Sequence, residues 1–100
     1  MKASCLCGGV TYEITGPIHR GRYCHCVHCR KFSGNGLRVF CSSCGSPLWY
    51  EPTRLPQFRG IPLGVIDDEG VPEPEMHVWT KSSVSWASIS DDLPQHDTHP

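Results

Sequence analysis

Cys41-Ser42-Ser43-Cys44-Gly45 is the stretch on which the fold of this chain turns. Two thiols on a tight turn, followed by a glycine that lets the backbone curl around sulfur, look like half of a zinc ribbon. A ribbon needs a second half. Cys5-Leu6-Cys7-Gly8-Gly9 has the same ligand-then-glycine order near the start of the chain and is the candidate. Joining the two would clip the first strand to the middle of the sequence. Metal binding would then contribute folding energy directly, about 10–16 kcal/mol as an apparent term in zinc peptides.

Between these halves lies Cys24-His25-Cys26-Val27-His28-Cys29-Arg30-Lys31, with three thiols inside six residues. The seven cysteines therefore divide as four plus three. A structural zinc takes four protein ligands in a closed tetrahedron, whereas a catalytic zinc keeps three and an open position. Spacing leaves two arrangements open for the second cluster. Three thiolates could wrap one ion from one side, leaving a face to polarise a carbonyl oxygen or hold an incoming thiolate. Alternatively His25 or His28 closes the site as a fourth ligand. Arg30 and Lys31 follow at once and are expected to help keep the thiols deprotonated.

A disulfide scaffold fits these cysteines poorly. Their number is odd, and in Cys5-Leu6-Cys7 and Cys24-His25-Cys26 the paired thiols are too close in sequence for an unstrained bridge. Met1-Lys2-Ala3-Ser4-Cys5 carries no apolar stretch of the signal-peptide kind, which predicts a reducing, cytoplasmic location. No run approaches the length of a membrane span. The formal net charge of −1 argues against a nucleic-acid partner, which would call for a basic face.

With 100 residues, one domain is expected, spanning residues 1–94, and the polar tail 95–100 is expected to fray. Hydrophobic residues are 38% of the chain and Gly plus Pro number 19, so the core is thin and needs a staple. The reading is mainly β. Val10–Ile14, Leu37–Phe40, Leu48–Tyr50, Ile61–Ile66 and Met76–Thr80 are β-branched or aromatic runs bounded by turn residues, with Pro62 favouring an edge. No long 3.6-residue apolar period exists, which predicts little helix. Trp49, Trp79 and Trp86 are expected as packing residues, and His77 as a packed or exposed histidine rather than a ligand. Ser33 and Gly34 are expected in the turn after the cluster, and Asp67-Asp68-Glu69 in a solvated loop.

Ser4–Glu13, Cys24–Gly34 and Phe40–Leu48 together resemble the glutathione-dependent formaldehyde-activating enzyme family, which also includes centromere protein V. Gly64–Asp68, Pro74–Thr80, Trp86 and Asp91-Asp92-Leu93-Pro94 extend the likeness over nearly the whole chain. The resemblance implies a zinc-stabilised Mss4-like β-tent of short antiparallel strands. It assigns Cys5, Cys7, Cys41 and Cys44 to a structural zinc, and Cys24, Cys26 and Cys29 to a second zinc at the reaction centre, two ions per chain. The implied chemistry is that of a carbon–sulfur lyase acting on a thiol–aldehyde adduct such as S-hydroxymethylglutathione, with glutathione as the small thiol partner. A non-catalytic, zinc-stabilised binding module is the alternative. Members of the family typically carry several strands between the Ser-Gly of the second cluster and the Phe-Cys of the third. Here only Asn35-Gly36-Leu37-Arg38-Val39 lie between them, and His28 stands where a small or acidic residue is commoner.

Overall fold

A computed structural model describes residues 1–19, 21–32 and 36–100. Expectations for Ser33 and Gly34 lie outside the described residues. Short strands dominate, in three two-stranded sheets, with one six-residue helix and two 3-10 turns among the described residues. The fold is mainly β, as expected. The single domain expected over residues 1–94 is organised as two compact units: residues 1–17 with 33–71, and residues 18–32 with 72–100.

In the first unit β1 (Lys2–Ser4) pairs antiparallel with β2 (Thr11–Glu13). A second antiparallel pair joins β4 (Leu37–Phe40) to β5 (Pro47–Glu51), with an irregularity between Val39 and Phe40. Cys5, Cys41 and Leu48 form the buried centre, and Val10, Tyr12, Val39, Cys44 and Trp49 pack around it. Sulfur thus takes up core volume that aliphatic side chains fill in larger domains. Tyr12 meets Trp49 edge-on at 5.3 Å and donates its hydroxyl hydrogen to the Leu48 carbonyl at 2.7 Å. This satisfies the polar end of a half-buried ring. Gly60 lies beneath the Tyr50 ring, where a Cβ would collide with it, so a larger residue there would have to displace the ring.

The expected strand at Ile61–Ile66 is instead a 3-10 turn over Leu63–Val65, and only Ile66 bridges to Ala3. The Pro62 and Leu63 carbonyls accept from Val65 and Ile66, so the segment satisfies itself locally rather than through a ladder. The Asp67–Glu69 loop is exposed as expected, yet it is tied to β1. Asp67 accepts from the Ser4 hydroxyl at 2.6 Å, and Asp68 from the Lys2 amide at 2.8 Å.

In the second unit β3 (Tyr23–Cys24) lies beside β6 (His77–Val78), and this pair is parallel where antiparallel strands were expected. Between them in sequence comes α1 (Val27–Phe32), with Arg30 and Lys31 in its last turn, where cations suit the helix dipole. Met76, His77 and Val78 are all buried, Val78 completely. Strand β6 stops because Trp79 adopts a left-handed conformation, φ 57°, and a 3-10 turn over Thr80–Ser82 follows. The tail expected to fray is instead bound to β6. His77 and Trp79 donate to the carbonyls of Pro94 and Thr98, while His96 donates back to His77. Polar composition did not reveal those pairings, because they use backbone groups alone. Trp86 is 84% exposed and packs on little, contrary to the expectation.

Candidate metal centres

Two turns of matching construction carry the first cluster. In one, the Cys5 amide donates to the Val10 carbonyl and Gly8, at φ 75°, donates to the Cys5 carbonyl. In the other, the Cys41 amide donates to the Ser46 carbonyl and Gly45, at φ 76°, donates to the Cys41 carbonyl. The positive φ directly after each second cysteine is where glycine is required. A cross-link joins the turns, since the Leu6 amide donates to Ser46 Oγ at 3.0 Å.

The sulfurs of Cys5, Cys7, Cys41 and Cys44 lie within 4.8 Å of one another. Cys5 to Cys7 is 3.5 Å and Cys7 to Cys41 is 3.9 Å. A tetrahedron of sulfurs about zinc, each at about 2.3 Å, has edges of about 3.8 Å. The donor set therefore fits a four-thiolate site. The Val10 amide donates to Cys5 Sγ at 3.3 Å and lowers its pKa against the effect of burial. Cys44 is brought down to about 5, chiefly by the Ser46 hydroxyl 3.2 Å away. Cys7 is held up at about 11: the Gly9 amide pulls it down, but its bonds to Cys5, Cys44 and Cys41 keep its proton in place more strongly.

In the second unit, Cys24, Cys26 and Cys29 also place their sulfurs within 4.8 Å of one another. Cys24 ends β3, held beside Val78, whose carbonyl accepts from the His25 amide at 3.0 Å. Cys26 caps α1: its carbonyl accepts from the Arg30 amide, and its sulfur accepts from the Cys29 amide at 3.3 Å. Cys29 reaches back one helical turn. Cys24 is lowered to about 5, mainly by hydrogen bonding from Cys29, whose own pKa is raised as the partner that keeps the proton. Arg30 and Lys31, expected to favour thiolates here, are not among the main causes.

Neither His25 nor His28 joins the group of ligand atoms around the three sulfurs. His28 is exposed, and His25 turns its Nε2 to His77 Nδ1 at 2.9 Å. His77 in turn places Nε2 3.0 Å from both oxygens of Asp91. Asp91 sits below the usual carboxylate range because of that bond and a second from the Leu93 amide. Sequence reasoning missed this trio. His77 stands among three consecutive buried residues, so no alternation marked it, and Asp91 lies 14 residues away in an irregular segment.

A small, mainly β protein with one four-thiol and one three-thiol group that could each hold a metal ion is the class these observations define. The family model of the glutathione-dependent formaldehyde-activating enzyme matches residues 1–39 and 35–82, and the chain belongs to that family. The two matched stretches overlap at residues 35–39. No curated protein matched the chain. No helix among the described residues is long and apolar enough to cross a membrane.

Proposed function

We propose that this chain is a zinc-dependent carbon–sulfur lyase-type enzyme of the cytoplasm, acting on a thiol–aldehyde adduct such as S-hydroxymethylglutathione. Cys5, Cys7, Cys41 and Cys44 would hold a structural zinc, and Cys24, Cys26 and Cys29 a second. The observation that carries this reading is the grouping of the three sulfurs with no histidine among them, in a chain of this family. Three protein ligands leave one tetrahedral position for a substrate.

When bound there, zinc supplies a Lewis acid for a thiolate sulfur or a carbonyl oxygen. The chain contributes placement. Strand β3 holds Cys24 against β6, the first turn of α1 fixes Cys26 and Cys29, and backbone amides stabilise charge on sulfur. No separate side-chain nucleophile is needed, because the thiol of glutathione is itself the nucleophile toward formaldehyde.

One other reading, a non-catalytic binding module, is supported by the shortness of the link at residues 35–39, since the family typically carries several strands there that would wall part of the cleft. Exchange between formaldehyde and its glutathione adduct, followed by NMR, distinguishes the two. The zinc-loaded protein should accelerate exchange above the buffer rate in proportion to its concentration. No acceleration with both zinc ions bound would favour the binding module.

A further inference from the structure

Strand β6 is the middle one of three parallel segments, and the third has no part in the sites described above. Backbone groups alternate in direction along β6. Met76 and Val78 turn their carbonyls to β3, where they accept from the Tyr23 amide at 2.9 Å and the His25 amide at 3.0 Å. His77 faces the other way: its amide donates to the Pro94 carbonyl at 2.8 Å, and its carbonyl accepts from the His96 amide at 2.9 Å. His77 and Gln95 are parallel bridge partners, so residues 94–98 run along one edge of β6 as β3 runs along the other. Further on, the Trp79 amide donates to the Thr98 carbonyl at 3.1 Å. The amide and hydroxyl of Thr80 both donate to the His96 carbonyl, at 3.1 and 3.0 Å. Trp79 Nε1 completes the set by donating to His99 Nε2 at 3.3 Å.

This segment is fastened rather than packed. None of residues 94–100 is buried, so hydrogen bonds more than apolar area hold it, and such segments open at low cost. Trp79, a bulky residue at φ 57°, keeps that conformation only where its surroundings fix it. Here the Thr98 carbonyl and the His99 ring are among them. On the opposite edge of β6, Cys24 stands between the two residues, Tyr23 and His25, whose amides bond to that strand. A parallel pair two residues long is marginal alone, so the segment that completes the sheet also helps to hold Cys24 in place. The four thiols of the first cluster belong to the other compact unit.

We propose that residues 94–99 are a latch for the second metal site: docking of the latch on β6 and occupancy of the Cys24/Cys26/Cys29 group stabilise each other, and lifting the latch releases that ion while the four-thiol ion stays. The proposal rests on the reading that the three thiols hold zinc, and not on lyase chemistry. Linkage makes the coupling reciprocal, so it is measurable from either end.

From the latch end, His96→Pro removes the amide that donates to His77, whereas His96→Ala keeps that amide and removes only the imidazole. In competition with a zinc chelator, His96→Pro should hold the second ion about 5–150-fold more weakly than the wild type, the range usual for linked sites, with the first ion unchanged. His96→Ala should match the wild type. From the metal end, Cys26→Ser lacks the second ion, and its amides at His77, Trp79, Thr80 and His96 should exchange hydrogen faster than in the zinc-loaded wild type. The Ile14 and Tyr50 amides, bonded within the first unit, should keep their protection. Wild-type affinity in His96→Pro, loss of both its ions together, equal weakening by His96→Ala, or unchanged exchange of the latch amides in Cys26→Ser would each overturn the proposal. A wild-type chain holding zinc at the four thiols alone would overturn it together with the reading of the second site. Two bound ions without formaldehyde exchange would count against the lyase reading alone.

Discussion

Cys41→Ser should lose a bound metal ion and the strands of the first unit in one step. Cys41 is buried and touches Cys5 and Leu48 in the only cluster of buried side chains that holds these strands together among the described residues. Its amide also closes the turn that presents Cys44. A hydroxyl at this position is a weak zinc ligand and leaves three thiols facing one another. The apparent binding term for a structural zinc, about 10–16 kcal/mol, is as large as the whole net stability of a small domain, about 5–15 kcal/mol. Losing most of it leaves too little apolar burial to compensate. Far-UV circular dichroism should report loss of strand signal, and metal analysis should report one ion fewer than in the wild type.

The second large effect is expected at Cys26→Ser, and it differs in kind. Cys26 lies at the start of a six-residue helix with no buried side chain, so the packing it supports is slight. A serine oxygen can still cap the helix in place of sulfur. The variant should keep its circular dichroism spectrum while losing the second zinc and, with it, thiol-dependent exchange of formaldehyde. The loss should reach the uncatalysed rate rather than a partial decrease, because no other group is assigned to activate the substrate. If Cys26→Ser unfolds as Cys41→Ser does, the second site is structural and the binding-module reading gains.

What the sequence disclosed followed from how local each feature is. Both cysteine turns were legible because ligand spacing and the glycine after it are set within six residues. The structure confirms that Gly8 and Gly45 occupy the left-handed conformation such turns require. The four-plus-three division was legible for the same reason. Less local features were not. Ile61–Ile66 has the composition of a strand, but Pro62 removes a donor and its neighbours close a 3-10 turn. The tail binds β6 through backbone groups that any sequence would offer. His25, taken as a candidate ligand, finds its partner 52 residues on, and composition carries no trace of a contact at that separation.

Leu37 and Phe40 on β4 are exposed, and so is Phe32 at the end of α1. The two matched stretches of the family overlap at residues 35–39, which lie between Phe32 and Phe40 in sequence. The seven cysteines all lie outside that interval, so the reading of them does not depend on it.

Metal content of the purified, reduced protein tests that reading most directly. Mass spectrometry under native conditions, paired with elemental analysis, should find two zinc ions per chain and seven free thiols after denaturation in chelator. One ion would remove the second site and the enzyme with it. A chain free of metal, with its cysteines joined in disulfides, would contradict the account at its root.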